Sequence, residues 1–313
     1  MARAPFTKPR FQYRLGFSQP LDHPNYRRMS EMAEAVLADS HGRLLIDVNG
    51  AGALGSDNDM LAMVQSGALE LYLGGNVFGP LVPTMEMPGL PFIFRNSTEV
   101  FAARDGEMGQ FINIQMREKG LHAFRDWLEH GFHHLTTHNR PIRTVDDLKG
   151  MSIRTPVQRM TVDFFETLGA EPKQFTLSRL YEVLRDHMAD GQTDPLSIVA
   201  ILRLYEVQTY LSLTHHWWSG FTLVAHAGAW DALPADLQAI LAKHAQAAAL
   251  AQRQDMERLN ASALETLKTK GMIVNEADVS GFKKPLAQFY ARWKQEYGAK
   301  AWDLLETRVG KLV

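Results

Sequence analysis

Within its first 75 residues the chain alternates two hydrophobic periods, and that alternation most constrains what it can fold into. Short apolar runs at 13–17, 44–49 and 69–73 read as strands. Between them, 25–39 places Met29, Met32, Ala33, Val36 and Leu37 at helical spacing behind a capping Asn25. A second helix, 57–67, follows a Gly-rich turn through Gly55. Strand, helix, strand, helix in this rhythm predicts an α/β sheet, because parallel neighbours need a connection long enough to hold a helix.

The rest of the chain keeps to that plan. A Pro-punctuated stretch from Pro80 to Pro91 reads as packed loop, and 97–119 as helix. Strands are predicted at 121–127 and 132–137. Met151 and Ile153 then alternate with polar residues in a strand that Pro156 ends, and 157–168 is a helix stopped by Gly169. Ser178 caps a further helix through Tyr181, Val183, Leu184 and Met188, and 196–207 reads as one amphipathic helix. Strands at 211–213 and 221–225 flank His215-His216-Trp217-Trp218-Ser219-Gly220. One long tract rich in Ala, Leu, Gln and Glu, 234–270, has a proline at its start and Gly271 as its stop. A short strand, 272–274, and a helical ending, 279–312, complete the chain.

The chain has 313 residues, enough for two ordinary domains, and no linker, repeat or low-complexity segment separates them. The two domains are therefore expected to be built from interleaved segments. A formal net charge of -2 offers no basic excess for nucleic acid. No run of about eighteen apolar residues exists to span a bilayer, so no direct membrane insertion is expected. Residues 1–14 are basic and polar, without the apolar core of a secretion signal. Without cysteine there are no disulfides, thiolate metal sites or cysteine nucleophiles, which leaves the compartment open.

Arg154 sits at the exit of the predicted 151–153 strand, where a planar, permanently charged fork can grip a carboxylate through two parallel hydrogen bonds. Around it a set of motifs accumulates in order: Gly52-Ala53-Leu54-Gly55-Ser56-Asp57, Leu90-Pro91-Phe92-Ile93-Phe94, Asp147-Leu148-Lys149-Gly150 with Ile153-Arg154-Thr155-Pro156, Leu180-Tyr181, Asp190-Gly191-Gln192, Tyr205-Glu206-Val207-Gln208 and Leu213-Thr214. In that order they resemble the substrate-binding proteins of tripartite ATP-independent periplasmic (TRAP) transporters, over about residues 14–304. The resemblance implies a two-domain α/β periplasmic binding protein fold with interleaved segments, hinge strands and a long helix spanning both domains. The domains are expected at 11–131 with 220–259, and at 132–219 with 260–313. It further implies a periplasmic, monomeric receptor whose secretion signal lies outside these residues. Such a receptor closes two lobes on a small organic acid and delivers it to TRAP membrane subunits, with no cofactor and no catalysis.

Carried over residue by residue, the resemblance makes Arg154 the carboxylate-binding arginine. Asp194 falls where the family usually has Asn, and His133 where many members carry a second arginine. His216 matches a family histidine, with Trp217 and Trp218 beyond it. Ser18, Gln19 and Asp22 in the first loop, Gly75, Asn76 and Phe78 after the third strand, and Leu177 match positions lining the family's cleft. Asp194 is expected either to accept from a ligand hydroxyl or ammonium, or to pair internally with His133 or Arg154. Phe17, Phe78, Trp217, Trp218 and Phe221 suggest flat apolar walls and hence an aromatic or otherwise bulky hydroxy- or keto-acid, with a sugar acid or small aliphatic acid as alternatives.

Histidines at 130, 133, 134 and 138 and at 215 and 216 raise the question of zinc, but the first group lies on a predicted strand, where neighbours point to opposite faces, so at most two would converge. No metal site is expected. An enzyme is disfavoured as well. Gly50-Ala51-Gly52 lacks the third glycine and acidic partner of a dinucleotide fingerprint, and Asp190 with Asp194 has no nucleophile or metal to serve. A ligand-sensing ectodomain of the same fold is the alternative to a transport receptor.

Overall fold

The computed structural model describes residues 9–313, the side chain of Asn76 excepted. Eleven strands occur among them: β1 Phe11–Gly16, β2 Leu44–Asn49, β3 Leu71–Gly74, β4 Leu121–Ala123, β5 Leu128–Thr137, β6 Ser152–Thr155, β7 Glu171–Gln174, β8 Gly191–Pro195, β9 Tyr210–Leu213, β10 Trp218–His226 and β11 Ile273–Glu276. The chain divides into two α/β units, each assembled from three segments.

The first unit takes the chain up to Gly75, then Ile112–Leu128 and Phe221–Asp255. Its strands run β2-β1-β3-β10, with β4 beside β10. The crossovers predicted from the sequence make β1 parallel to β2 and to β3, while the returning β10 is antiparallel to β3. Helix Pro24–Asp39 lays Met29, Met32, Ala33 and Val36 onto Leu15, Phe17, Leu44 and Ile46, and Leu237, Leu241 and Ala245 join the same core. Its cap is His23 rather than Asn25: the imidazole Nδ1 accepts from the Asn25 amide at 3.2 Å. Burial pushes the His23 imidazole down to about 3, leaving it neutral and able to accept.

The second unit comprises Asn76–Phe111, Glu129–Gly220 and Met256–Val313. Segment 76–111, expected with the first domain, packs here. Phe92 meets Phe164 and Phe282, Tyr290 donates its hydroxyl to the Pro91 carbonyl, and Phe101 packs edge-on against Trp218. The strand order is β7-β6-β8-β5, with β9 on β5 and β11 on β9. β6 is parallel to β7 and β8, and β5 is antiparallel to β8 and β9.

The long helix is Ala235–Thr269, continuous along the chain from the first unit into the second. No helix of the described residues is long and apolar enough to cross a membrane. Two expected helices are interrupted. Residues 97–119 form Ser97–Arg104 and Glu107–Glu118, separated at Asp105-Gly106. Residues 196–207 form Leu196–Ile201 and a single 3-10 turn, because Arg203 takes a left-handed backbone at φ 54°. The 121–127 strand is cut to Leu121–Ala123, and 279–312 is three helices.

Candidate functional site

β8 determines the arrangement of the second unit's polar interior. Its neighbour β6 places Arg154 opposite Gln192, so Asp194, two residues further on, lies on the same face within reach. Nη1 of Arg154 donates to Oδ2 of Asp194 at 3.1 Å. Both residues are nearly enclosed, Arg154 1% exposed and Asp194 4%. On its other edge the guanidinium donates from Nε at 3.1 Å and from Nη2 at 2.7 Å to the Phe175 carbonyl. A guanidinium carries five N–H groups. Three are thus engaged, leaving one on each terminal nitrogen.

Burial acts on both members of this pair in the direction of neutrality. It lowers Arg154 and pushes Asp194 up to about 6, with each partner's charge opposing the change. Arg154 keeps its proton because no ordinary environment removes it. Asp194 is the member that can respond. Gln192 continues this face, donating to Thr136 Oγ1 at 3.1 Å, and Thr136 donates to Gln208 at 3.1 Å.

Thr193 points the other way, to a separate chain of hydrogen bonds. Its hydroxyl lies 3.1 Å from His133 Nδ1 and 2.9 Å from His216 Nε2. His133 Nε2 is 2.7 Å from the Ser219 hydroxyl, which is 2.9 Å from His130 Nδ1, and His216 Nδ1 is 2.7 Å from the Thr214 hydroxyl. Burial, and then the neighbouring imidazoles, hold His133 and His216 well below the usual histidine range. Each ring is therefore a neutral donor and acceptor spaced by hydroxyls. Arg154 and Asp194 come together, and so do His133 and His216, but no hydrogen bond among these residues joins the two pairs.

Trp217 belongs to the histidine side. Its ring centroid is 5.3 Å from Phe164, 5.7 Å from Phe165 and 4.4 Å from His216. Trp218 donates its indole N–H to Glu129. These tryptophans, with Phe17, Phe78 and Phe221, are at most 3% exposed. They are as enclosed as Arg154 and Asp194. Leu177 is half-buried against the Leu180 and Leu184 cluster. Phe78 ends the 3-10 turn Asn76–Phe78, and the Asn76 side chain lies outside the described residues.

In the first unit, Asp22 is exposed and Gly75 half-buried. Gln19 donates to the Ser18 hydroxyl at 3.2 Å, while its own Oε1 is buried with no hydrogen-bond partner among the described residues. Ser18 in turn serves Asp57, which also accepts from the Tyr72 hydroxyl at 2.8 Å. Burial raises the Asp57 carboxyl, and these two hydroxyls oppose the rise. A cavity of about 400 Å³ elsewhere in this unit, walled by His122 and Trp230 among others, contains none of the sequence candidates.

Sequence reasoning missed Thr193, Ser219 and the Phe175 carbonyl, and gave no role to Gln192 or Asp57. Those two carried a signal, as parts of Asp190-Gly191-Gln192 and Gly52-Ala53-Leu54-Gly55-Ser56-Asp57. The imagined acid and base pair of Asp190 and Asp194 does not exist as such. Asp190 accepts from the Ser152 amide and hydroxyl at 2.8 and 2.7 Å. Burial works against it, yet these bonds hold the Asp190 carboxyl below the usual range. Among the described residues no group of three or more His, Asp or Glu side chains is placed to hold a metal ion.

The sequence model of the bacterial extracellular solute-binding proteins, family 7 (DctP), matches residues 15–296. The chain belongs to this family. As a family 7 protein it is a periplasmic TRAP-type solute receptor, a binding protein rather than a catalyst, and the expected family, fold class and compartment stand. An uncharacterised Sinorhizobium fredii protein is 33% identical over 87% of this chain, which spans 50% of that protein's length. The 2,3-diketo-L-gulonate-binding periplasmic protein YiaO of Escherichia coli is 29% identical, covering 78% of this chain and 75% of its own. Among solved structures, a TRAP periplasmic solute-binding protein from Polaromonas sp. JS666, bound to D-erythronate, superposes with a TM-score of 0.89. It is 28% identical and covers 95% of this chain and 98% of its own.

Proposed function

We propose that this family 7 receptor captures a small polyhydroxylated acid, a sugar acid or a close relative, and passes it as a monomer to TRAP membrane subunits. The observation that carries the reading is Arg154: buried, immobilised by a backbone carbonyl, and left with one N–H on each terminal nitrogen. Two parallel donors of that kind suit a carboxylate. Asp194 beside it has a second oxygen for a ligand hydroxyl. The choice of a hydroxylated acid over an aromatic one is supported by the two similar proteins named above, which bind 2,3-diketo-L-gulonate and D-erythronate.

A thermal-shift screen of sugar acids, aromatic acids and aliphatic dicarboxylates tests it, since a ligand selective for the native state raises the melting temperature. D-Erythronate or a related aldonate should give the largest shift and Arg154→Ala should abolish it. A larger shift from the aromatic set, or one that survives Arg154→Ala, would overturn the assignment. Light scattering on the liganded protein should return one chain per particle.

A further inference from the structure

The charge balance around Arg154 carries a consequence that rests on that assignment. The guanidinium already has one carboxylate, Asp194, at 3.1 Å, and both side chains are almost wholly enclosed. A ligand carboxylate on the two remaining N–H groups would put one positive charge between two negative ones, leaving a net charge of -1 out of water. Proteins relieve a buried unbalanced charge by moving a proton far more readily than they tolerate it.

Among the described residues, the groups facing Asp194 in its own unit offer no second cation. On β6 there is Arg154 itself. Lys173 on β7 pairs in register with Arg154, and its side chain is exposed. His134 on β5 is the cross-strand partner of Asp194, but burial, and then His215, push it down to about 3, so it stays neutral. Along β8 itself Gln192 and Thr193 carry no charge, and Asp190, just before the strand, is turned to Ser152. Asp194 is thus the one acidic group at the pair that can accept a proton, and burial already holds it near 6 with Arg154 alone for company.

We propose that the receptor takes up one proton from water at Asp194 as it binds its acid. The ligand then rides on Arg154 as an anion beside a neutral carboxylic acid, whose O–H becomes a donor to a ligand oxygen. An asparagine would present a neutral donor at this place at every pH, whereas Asp194 makes capture answer to the proton concentration.

Calorimetric titration with D-erythronate near pH 7.5, repeated in buffers of different ionisation enthalpy, counts the protons. The parent should take up close to one per ligand, and its affinity should fall by up to about tenfold per pH unit above roughly pH 6. Asp194→Asn should bind with no uptake and with an affinity flat across that range. Binding by the parent with no uptake overturns the inference and leaves the role of Arg154 intact. Uptake that persists in Asp194→Asn overturns it too, by assigning the proton elsewhere. If neither D-erythronate nor any other sugar acid binds, the reading of Arg154 fails and this inference falls with it.

Discussion

Thr193 and Asp194 are consecutive residues of one short strand, yet their side chains serve different networks. The Thr193 hydroxyl lies 2.9 Å from Nε2 of His216, and the Asp194 carboxylate 3.1 Å from Nη1 of Arg154. Strand alternation sends neighbours to opposite faces, so β8 separates an ionic pair from a chain of neutral imidazoles. The two can be perturbed one at a time.

Arg154→Ala should weaken binding of the acid by at least about a hundredfold, since it removes two charge-assisted hydrogen bonds of about 1.5 to 3 kcal/mol each. Arg154→Lys should recover little of this, because a point charge cannot donate along two parallel lines. Calorimetry of the three proteins against one ligand measures it.

Removing Arg154 also strands a buried carboxylate. Arg154→Ala should lose about 3 to 5 kcal/mol of stability at neutral pH, and Arg154→Ala combined with Asp194→Asn should recover most of it. Urea unfolding of both single variants and the double variant closes the cycle. A double variant no more stable than Arg154→Ala would show that the pair is not coupled.

Stability should respond to acid in two opposed ways. Asp194 is raised to about 6 in the fold against an ordinary 3.9, so between roughly pH 4 and pH 6 the native state holds the extra proton and this contribution is lost as pH rises. His133 and His216 are lowered, so the unfolded chain binds more protons below roughly pH 6.5, and their contribution is lost as pH falls. Unfolding free energies measured from pH 4 to pH 7 should therefore gain a steeper positive slope in Asp194→Asn, which deletes only the opposing term.

Thr193→Val keeps the shape of a side chain with 0% exposure but deletes the hydroxyl between two imidazoles. The orphaned ring nitrogens should cost about 1 to 3 kcal/mol. Acid binding should change far less, because Thr193 faces away from Arg154. Chemical unfolding and calorimetry on the one variant separate these effects.

Gly191→Ala should be a disruptive small change. A Cβ there would sit 2.3 Å from the Thr136 carbonyl and 2.7 Å from the Thr137 methyl. Backbone cannot retreat as a side-chain tip can, so β8 must part from β5 and carry Asp194 away from Arg154. Loss of soluble folded protein, or of acid binding in what remains, is the expected result.

Where local sequence and tertiary packing agree, the fold was legible. The helix Ala235–Thr269 follows from its helix-forming composition and from Gly271, and β1 to β3 follow from their alternation with helices. β8 was invisible, because Gly-Gln-Thr-Asp-Pro has no strand preference. It is extended because β5 and β6 pair with it on either side. β7 begins Glu171-Pro172 and tolerates the proline as an edge strand. The break at Arg203 has no local signal, its left-handed backbone being imposed by the turn into Leu204–Glu206.

The candidate site was legible in its ionic half. Arg154 stood out by its place at a strand exit, and an internal pairing with Asp194 was one of two readings that sequence left open. The histidine half was not, because the hydroxyls of Thr193 and Ser219 that space the rings are common residues whose role exists only once strands are in register. The aromatic residues are ambiguous in sequence, because a ring lining a ligand site and a ring filling a core share the same composition.

The Phe175 carbonyl has an evolutionary corollary. Because main chain rather than a side chain steadies the guanidinium, no single codon change at position 175 can delete that acceptor short of refolding the loop. The grip on a carboxylate is in this sense heritable and conservative, while the charge beside it depends on one residue, 194. Lineages can exchange proton-sensitive for proton-indifferent uptake there without rebuilding the hand that holds the cargo.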